Sequence, residues 1–131
     1  MNDLNINALE DSLENIRQHS NLAGQLHLLI QLGQAYQSKR RYQKALIYSK
    51  EALDLVKGQS NLDHKIVALV NTGCIFWEMS QLKKAMGLFQ DALPIAIELG
   101  DDDGIQHTLA FIISKFLSNR QSFLKETHSF F

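Results

Sequence analysis

The side chains of this chain that could carry chemistry are few and scattered. Cys74 is the one cysteine, and the five histidines stand at positions 19, 27, 64, 107 and 128. A thiol nucleophile needs a base within hydrogen-bond reach. His107 is the tempting partner, but on helices stacked side by side Cys74 falls level with Ser114, seven residues beyond His107. At 1.5 Å per residue the offset is roughly 10 Å, too long for a dyad. There is no His-x3-His pair and no cysteine partner for any histidine, so no zinc ligand set emerges. Asp101, Asp103 and Gly104 look like part of a calcium loop, yet Leu99 takes the first ligand position and Ala110 the last, where a glutamate is required. The aspartates suit the start of a following helix, where the helix dipole favours negative charge. Glycine-rich phosphate loops and the G-x-S-x-G elbow are absent. The expectation is a chain without catalysis, metal or cofactor.

Charge and composition narrow the remaining classes. Thirteen basic and fourteen acidic residues leave a formal net charge of -1, which argues against a nucleic-acid or anionic-membrane partner. The run Lys39-Arg40-Arg41 is too short to change that and reads as a solvated turn, with contact to an acidic partner as the alternative. A lone cysteine excludes an internal disulfide and fits a reducing compartment. The N-terminal MNDLNINALEDSLENI has acids where a signal peptide needs bases, and no apolar run reaches the length of a membrane span. A cytoplasmic location is expected. With 131 residues, 45% of them hydrophobic, the chain suits one domain; one proline and seven glycines leave little room for strands and tight turns. The fold class expected is all-α.

The elements that must hold these residues repeat. Sliding the chain against itself by forty positions puts Gly33 on Gly73, Ala45 on Ala85 and Ala52 on Ala92. The same register aligns Leu29, Leu69 and Leu109, then Tyr36, Phe76 and Phe116, and lays Ser20-Asn21-Leu22 on Ser60-Asn61-Leu62. Matches in two helices and their connector indicate a true repeat. Ser20 or Asn21 supplies a capping oxygen for a helix over about 22 to 38, and Ser38 to Arg41 breaks the pattern. A second helix runs from Tyr42 to Gly58. The next pair starts at Ser60 or Asn61, pauses at Ser80, resumes at Leu82 and stops at Gly100, with a kink expected at Pro94. Another helix spans roughly 104 to 118.

The ends differ from the middle. Residues 4 to 18, with Leu4, Ala8 or Leu9, Leu13 and Ile16, align with a second helix and form a half-repeat. From Ser118 to Phe131 the small residues are missing, and Lys125 stands where the first alanine belongs. Phe123, Leu124, Thr127 and Phe130 or Phe131 suggest a separate, degenerate closing helix that caps the stack. The chain divides into a half-repeat (1-20), a first repeat (21-59), a second (60-100) and a degenerate third with its cap (101-131).

These units resemble the tetratricopeptide repeat, a helix-turn-helix with the pattern W-x2-L-G-x2-Y, then A-x3-F, then A. The second unit reads Leu69-x2-Thr72-Gly73-x2-Phe76, then Ala85-x3-Phe89-x2-Ala92. The first reads Leu29-x2-Leu32-Gly33-x2-Tyr36, then Ala45-x3-Ser49-x2-Ala52. The third keeps Leu109 and Phe116 but has Ile113 in place of the glycine. Leucine replaces the family tryptophan throughout. The forty-residue period is similar to the longer-helix variety of kinesin light chains and bacterial signalling proteins.

The resemblance implies antiparallel helical hairpins stacked as a short right-handed solenoid, whose first helices line a concave groove for a protein or peptide segment. By register that groove carries His27, Ile30, Gln34, Gln37 and Ser38, then Val67, Val70, Cys74, Trp77 and Glu78, then His107, Ala110, Ser114 and Leu117. None is the lysine, arginine or asparagine that family members use to grip a terminal carboxylate, which disfavours that mode. Trp77 lies off the core stripe and is the candidate anchor; packing beneath the third unit is the alternative. A sensor of short signalling peptides and a homodimer joined through end faces are the other readings.

Overall fold

Two asparagines set the rhythm of the stack. In the computed structural model, which describes residues 3–19, 21–100 and 103–128, Asn21 Oδ1 accepts from the Gly24 amide at 2.9 Å and Asn61 Oδ1 from the His64 amide at 3.0 Å. Each satisfies an amide that a helix start would otherwise leave unpaired. Ser20, the other capping choice, lies outside the described residues. The elements in chain order are α1 (Asp3–Arg17), α2 (Leu22–Ser38), α3 (Tyr42–Lys57), α4 (Leu62–Glu78), α5 (Leu82–Leu99) and α6 (Asp103–His128). Among the described residues there is no strand.

The turns of both hairpins are also copies. Arg40 and Ser80, forty positions apart, adopt positive φ values of 61° and 62°. Around them the Arg41 amide reaches the Tyr36 carbonyl and the Gln81 amide the Phe76 carbonyl, both at 2.9 Å. The Arg40 and Ser80 amides close on Gln37 and Trp77 at 2.9 and 3.0 Å. This paired closure ends a helix with a left-handed residue, and here neither position is glycine. Gly100, at φ 76°, uses the conformational freedom that glycine has.

Small residues let the helices cross. Ala45, Ala52, Ala85 and Ala92 expose no surface, and Leu29, Leu32, Ile75, Phe89 and Ile112 fill the space around them. In α1 the inward face is Ile6, Leu9, Leu13 and Ile16; Ala8 is exposed, so of the two alternatives Leu9 is the one packed on the core. The Leu4 side chain lies outside the described residues. The Glu10 carboxylate ties α1 down by accepting from the Tyr36 hydroxyl at 2.8 Å and the Tyr48 hydroxyl at 3.1 Å, and Arg17 meets Glu51 at 2.6 Å. In α5, Pro94 sits inside the helix; both it and Gln90, whose carbonyl loses its donor, are exposed, so water is available to that carbonyl.

One expectation fails. No separate closing helix begins after Ser118: α6 runs on as one helix from Asp103 to His128. Turning back costs a left-handed residue, which the first two hairpins recover by burying a small-residue crossing. Ile113 and Lys125 occupy the positions where that crossing would form, so a turn would bury nothing. Ile113 is accordingly 46% exposed. The caps expected from Asp101 and Asp102, and Phe130 and Phe131, lie outside the described residues.

Candidate functional site

Helix α4 presents two distinct sides. At about 100° per residue, Val67, Val70, Asn71, Cys74 and Glu78 share one side, while Lys65, Leu69, Thr72 and Phe76 share the opposite one. The first side adjoins α2. There Gln34 Nε2 donates to Asn71 Oδ1 at 2.9 Å, and Gln37 Nε2 donates to Glu78 Oε1 at 3.0 Å. Asn71 is itself held by donating to the Val67 carbonyl at 2.8 Å. Two amide-centred bridges thus span α2 and α4 along one edge of an apolar strip. Val67 is exposed in that strip, whereas Val70, Cys74 and Trp77 are half-buried.

Helix α6 reaches this region through Lys115 and Phe111. The Lys115 ammonium lies 4.9 Å from the Trp77 ring centre and 5.0 Å from that of Phe111. Phe111 stands edge-on to Phe89 at 5.8 Å, and Trp77 tilts against Phe89 at 6.5 Å. Trp77 is therefore half-buried at the margin of the core, with a cation within cation–π range of its ring. Burial pushes the Cys74 thiol up to about 11; Lys115 acts against that rise and Glu78 adds to it. At neutral pH the group is a thiol, which makes it a poor nucleophile.

The other residues expected here are more dispersed. His27 is exposed near the start of α2, roughly 10 Å along the helix axis from Gln34, and Ile30 is half-buried against the core. On α6, His107 and Ser114 are exposed, and the Ser114 hydroxyl donates to the Phe111 carbonyl of its own helix at 2.7 Å. Of the expected residues the structure joins Gln37 to Glu78 by a hydrogen bond, ties Gln34 instead to Asn71, and groups Cys74 and Trp77 around Lys115. Asn71 and Lys115 were missed. Asn71, Cys74 and Glu78 follow i, i+3, i+7 spacing, which a helical projection of α4 reveals. Lys115 aligns with the buried Ile75, so the forty-residue register assigns it inward and hides its role.

Like hairpins packed one against the next define a helical-repeat protein. The chain belongs to the tetratricopeptide repeat family, which it matches over residues 24–98, more than half its length. Comparison with curated proteins and with solved structures returned no match. Repeats of this family mediate protein–protein interactions and serve as non-enzymatic scaffolds. Among the described residues no helix is long and apolar enough to cross a membrane, and no three histidine, cysteine or acidic side chains are grouped to hold a metal.

Proposed function

We propose that the face formed by α2, α4 and α6 binds a segment of a partner protein in a groove. The observation that carries this reading is the half-exposed strip of Val67, Val70, Cys74 and Trp77 bordered by the Gln34–Asn71 and Gln37–Glu78 bridges. Side-chain amides retain donors and acceptors beyond those used in one bond, so they can bond the backbone of an extended peptide. The strip takes that peptide's apolar side chains, while Glu78 and Lys115 distinguish its charges. Nothing in this arrangement needs to react; a cytoplasmic location suits the reduced thiol.

Selecting ligands from a random-peptide display library and titrating them against the chain tests this. Trp77→Ala should weaken the selected peptides by about 2 kcal/mol or more with helicity retained. A fall in thermal stability with unchanged affinity would overturn it. A second reading, self-association through the end face, is favoured by Ile113 and Leu117, which are 46% and 55% exposed on α6. Light scattering should then show a dimer that Ile113→Lys with Leu117→Lys converts to monomer; a monomeric wild type removes that reading.

A further inference from the structure

The opposite side of α4 floors an open trench between α3 and α5. One end is a depression of about 630 Å3 with apolar walls of Leu53, Val56, Leu69 and Leu88. A neighbouring depression of about 400 Å3 shares Leu53 and Leu88 and extends over Phe76 to Gly87. Leu53, Leu69 and Leu88 are only half-buried, so this floor is apolar surface left open. Apart from its chain neighbours and its own helix backbone, a Cβ built on Gly87 would meet no heavy atom within 4 Å, so that wall is open.

The rim is basic. The Lys50 and Lys84 ammonium groups lie 5.8 and 5.5 Å from the centre of the Phe76 ring, and Lys65 stands on the α4 side. Lys57 is already matched with Asp54 at 3.2 Å. That leaves Lys50, Lys65 and Lys84 against Asp91, a local excess of positive charge in a chain whose formal charge is -1. From Lys50 to Lys57 the α3 wall is about 10 Å long, or two helical turns. An occupant of matching form offers apolar side chains at i, i+3 or i+4, and i+7, with carboxylates on both flanks.

We propose that this trench is a second docking site, taking an acidic amphipathic helix of a partner protein, separate from the α2–α4–α6 face. The two sites lie back to back on α4, which leaves one chain able to hold two segments at once.

The test uses the full chain and a labelled helical peptide of about 14 residues, four turns, with leucines at i, i+3 and i+7 and flanking glutamates. Fluorescence anisotropy should show saturable binding. Replacing the glutamates by lysines, or the leucines by alanines, should weaken it about tenfold or more, as should the double variant Lys50→Glu with Lys84→Glu. Gly87→Leu, which fills the open wall, should do the same, whereas Trp77→Ala should leave binding unchanged. Circular dichroism establishes that each variant is folded; if Gly87→Leu is not, the charge reversals at exposed Lys50 and Lys84 decide. Absent saturation, indifference to peptide charge, or loss of binding in Trp77→Ala but not in the lysine double variant overturns the proposal. The last outcome would assign the peptide to the other face.

Discussion

The hairpins α2–α3 and α4–α5 cross at equivalent glycines but fill the crossing with different chemistry. At Gly33 the facing atom is the Ser49 hydroxyl, 2.9 Å from where a Cβ would stand. At Gly73 it is the edge of the Phe89 ring, at 2.6 Å. Around the first crossing, Tyr36 and Tyr48 stack at 5.8 Å with nearly parallel planes and both donate to Glu10. The second gathers Phe89, Trp77 and Phe111 into an apolar aromatic cluster continuous with α6. The repeat therefore prescribes the absence of a side chain at one spot, and each unit chooses what to put there. What it puts there follows its neighbour: a polar contact where α1 docks, an apolar one where α6 does.

That contrast can be broken most severely at Phe89, which exposes no surface. Phe89→Ala should cost about 3–5 kcal/mol in denaturant unfolding. It should also loosen α6, whose Phe111 loses its edge contact, and protection of α6 amides from exchange should fall. Next come the glycines themselves. Gly73→Ala drives a methyl into a ring held on several sides and should destabilise by about 1–3 kcal/mol. Gly33→Ala presses on the small Ser49 hydroxyl, with the Ala45 carbonyl at an ordinary contact distance of 3.6 Å, and the better helix propensity of alanine offsets much of the clash, so the change should stay within about 1 kcal/mol. Equal losses at the two positions would show that the crossings are governed by backbone approach alone.

The smallest effect concerns the tyrosine side of the comparison. Burial and the hydrogen bond to Glu10 raise the Tyr48 hydroxyl from 10.0 to about 12. Its folded state thus favours the neutral phenol. That contribution is complete below pH 10, where both states are protonated, and is lost as pH rises from 10 towards 12. Urea midpoints of wild type should fall more steeply across this window than those of Tyr48→Phe. Parallel profiles would mean that Tyr48 takes no part in alkaline unfolding.

The middle of the fold was legible because its determinants are local and repeated. Asn21 and Asn61 cap, Gly33 and Gly73 permit crossing, and each alanine marks a contact that only a small residue allows. The length of α6 was only half legible: Ile113 and Lys125 stand where small residues would let a hairpin cross, but the loss of that pattern does not say by itself whether the chain turns on a poorer contact or runs on as one helix. The amide bridges were half legible: Gln34, Gln37 and Glu78 were on the expected face, but Asn71 was not. Lys115 escaped for a deeper reason. Its long aliphatic stem lets a cation reach out from a position that the register assigns to the interior, and periodicity carries no information about such a detour.

Arg40 and Ser80 give the two turns the same backbone geometry although their side chains share nothing. The forty residues between them, from Arg41 to Ser80, therefore begin and end at interchangeable joints. An unequal recombination between those joints adds or removes one whole unit without cutting a helix or altering a turn. Growth of such a chain would be limited by whether each new glycine meets a neighbour small enough, or rigid enough, to pass it.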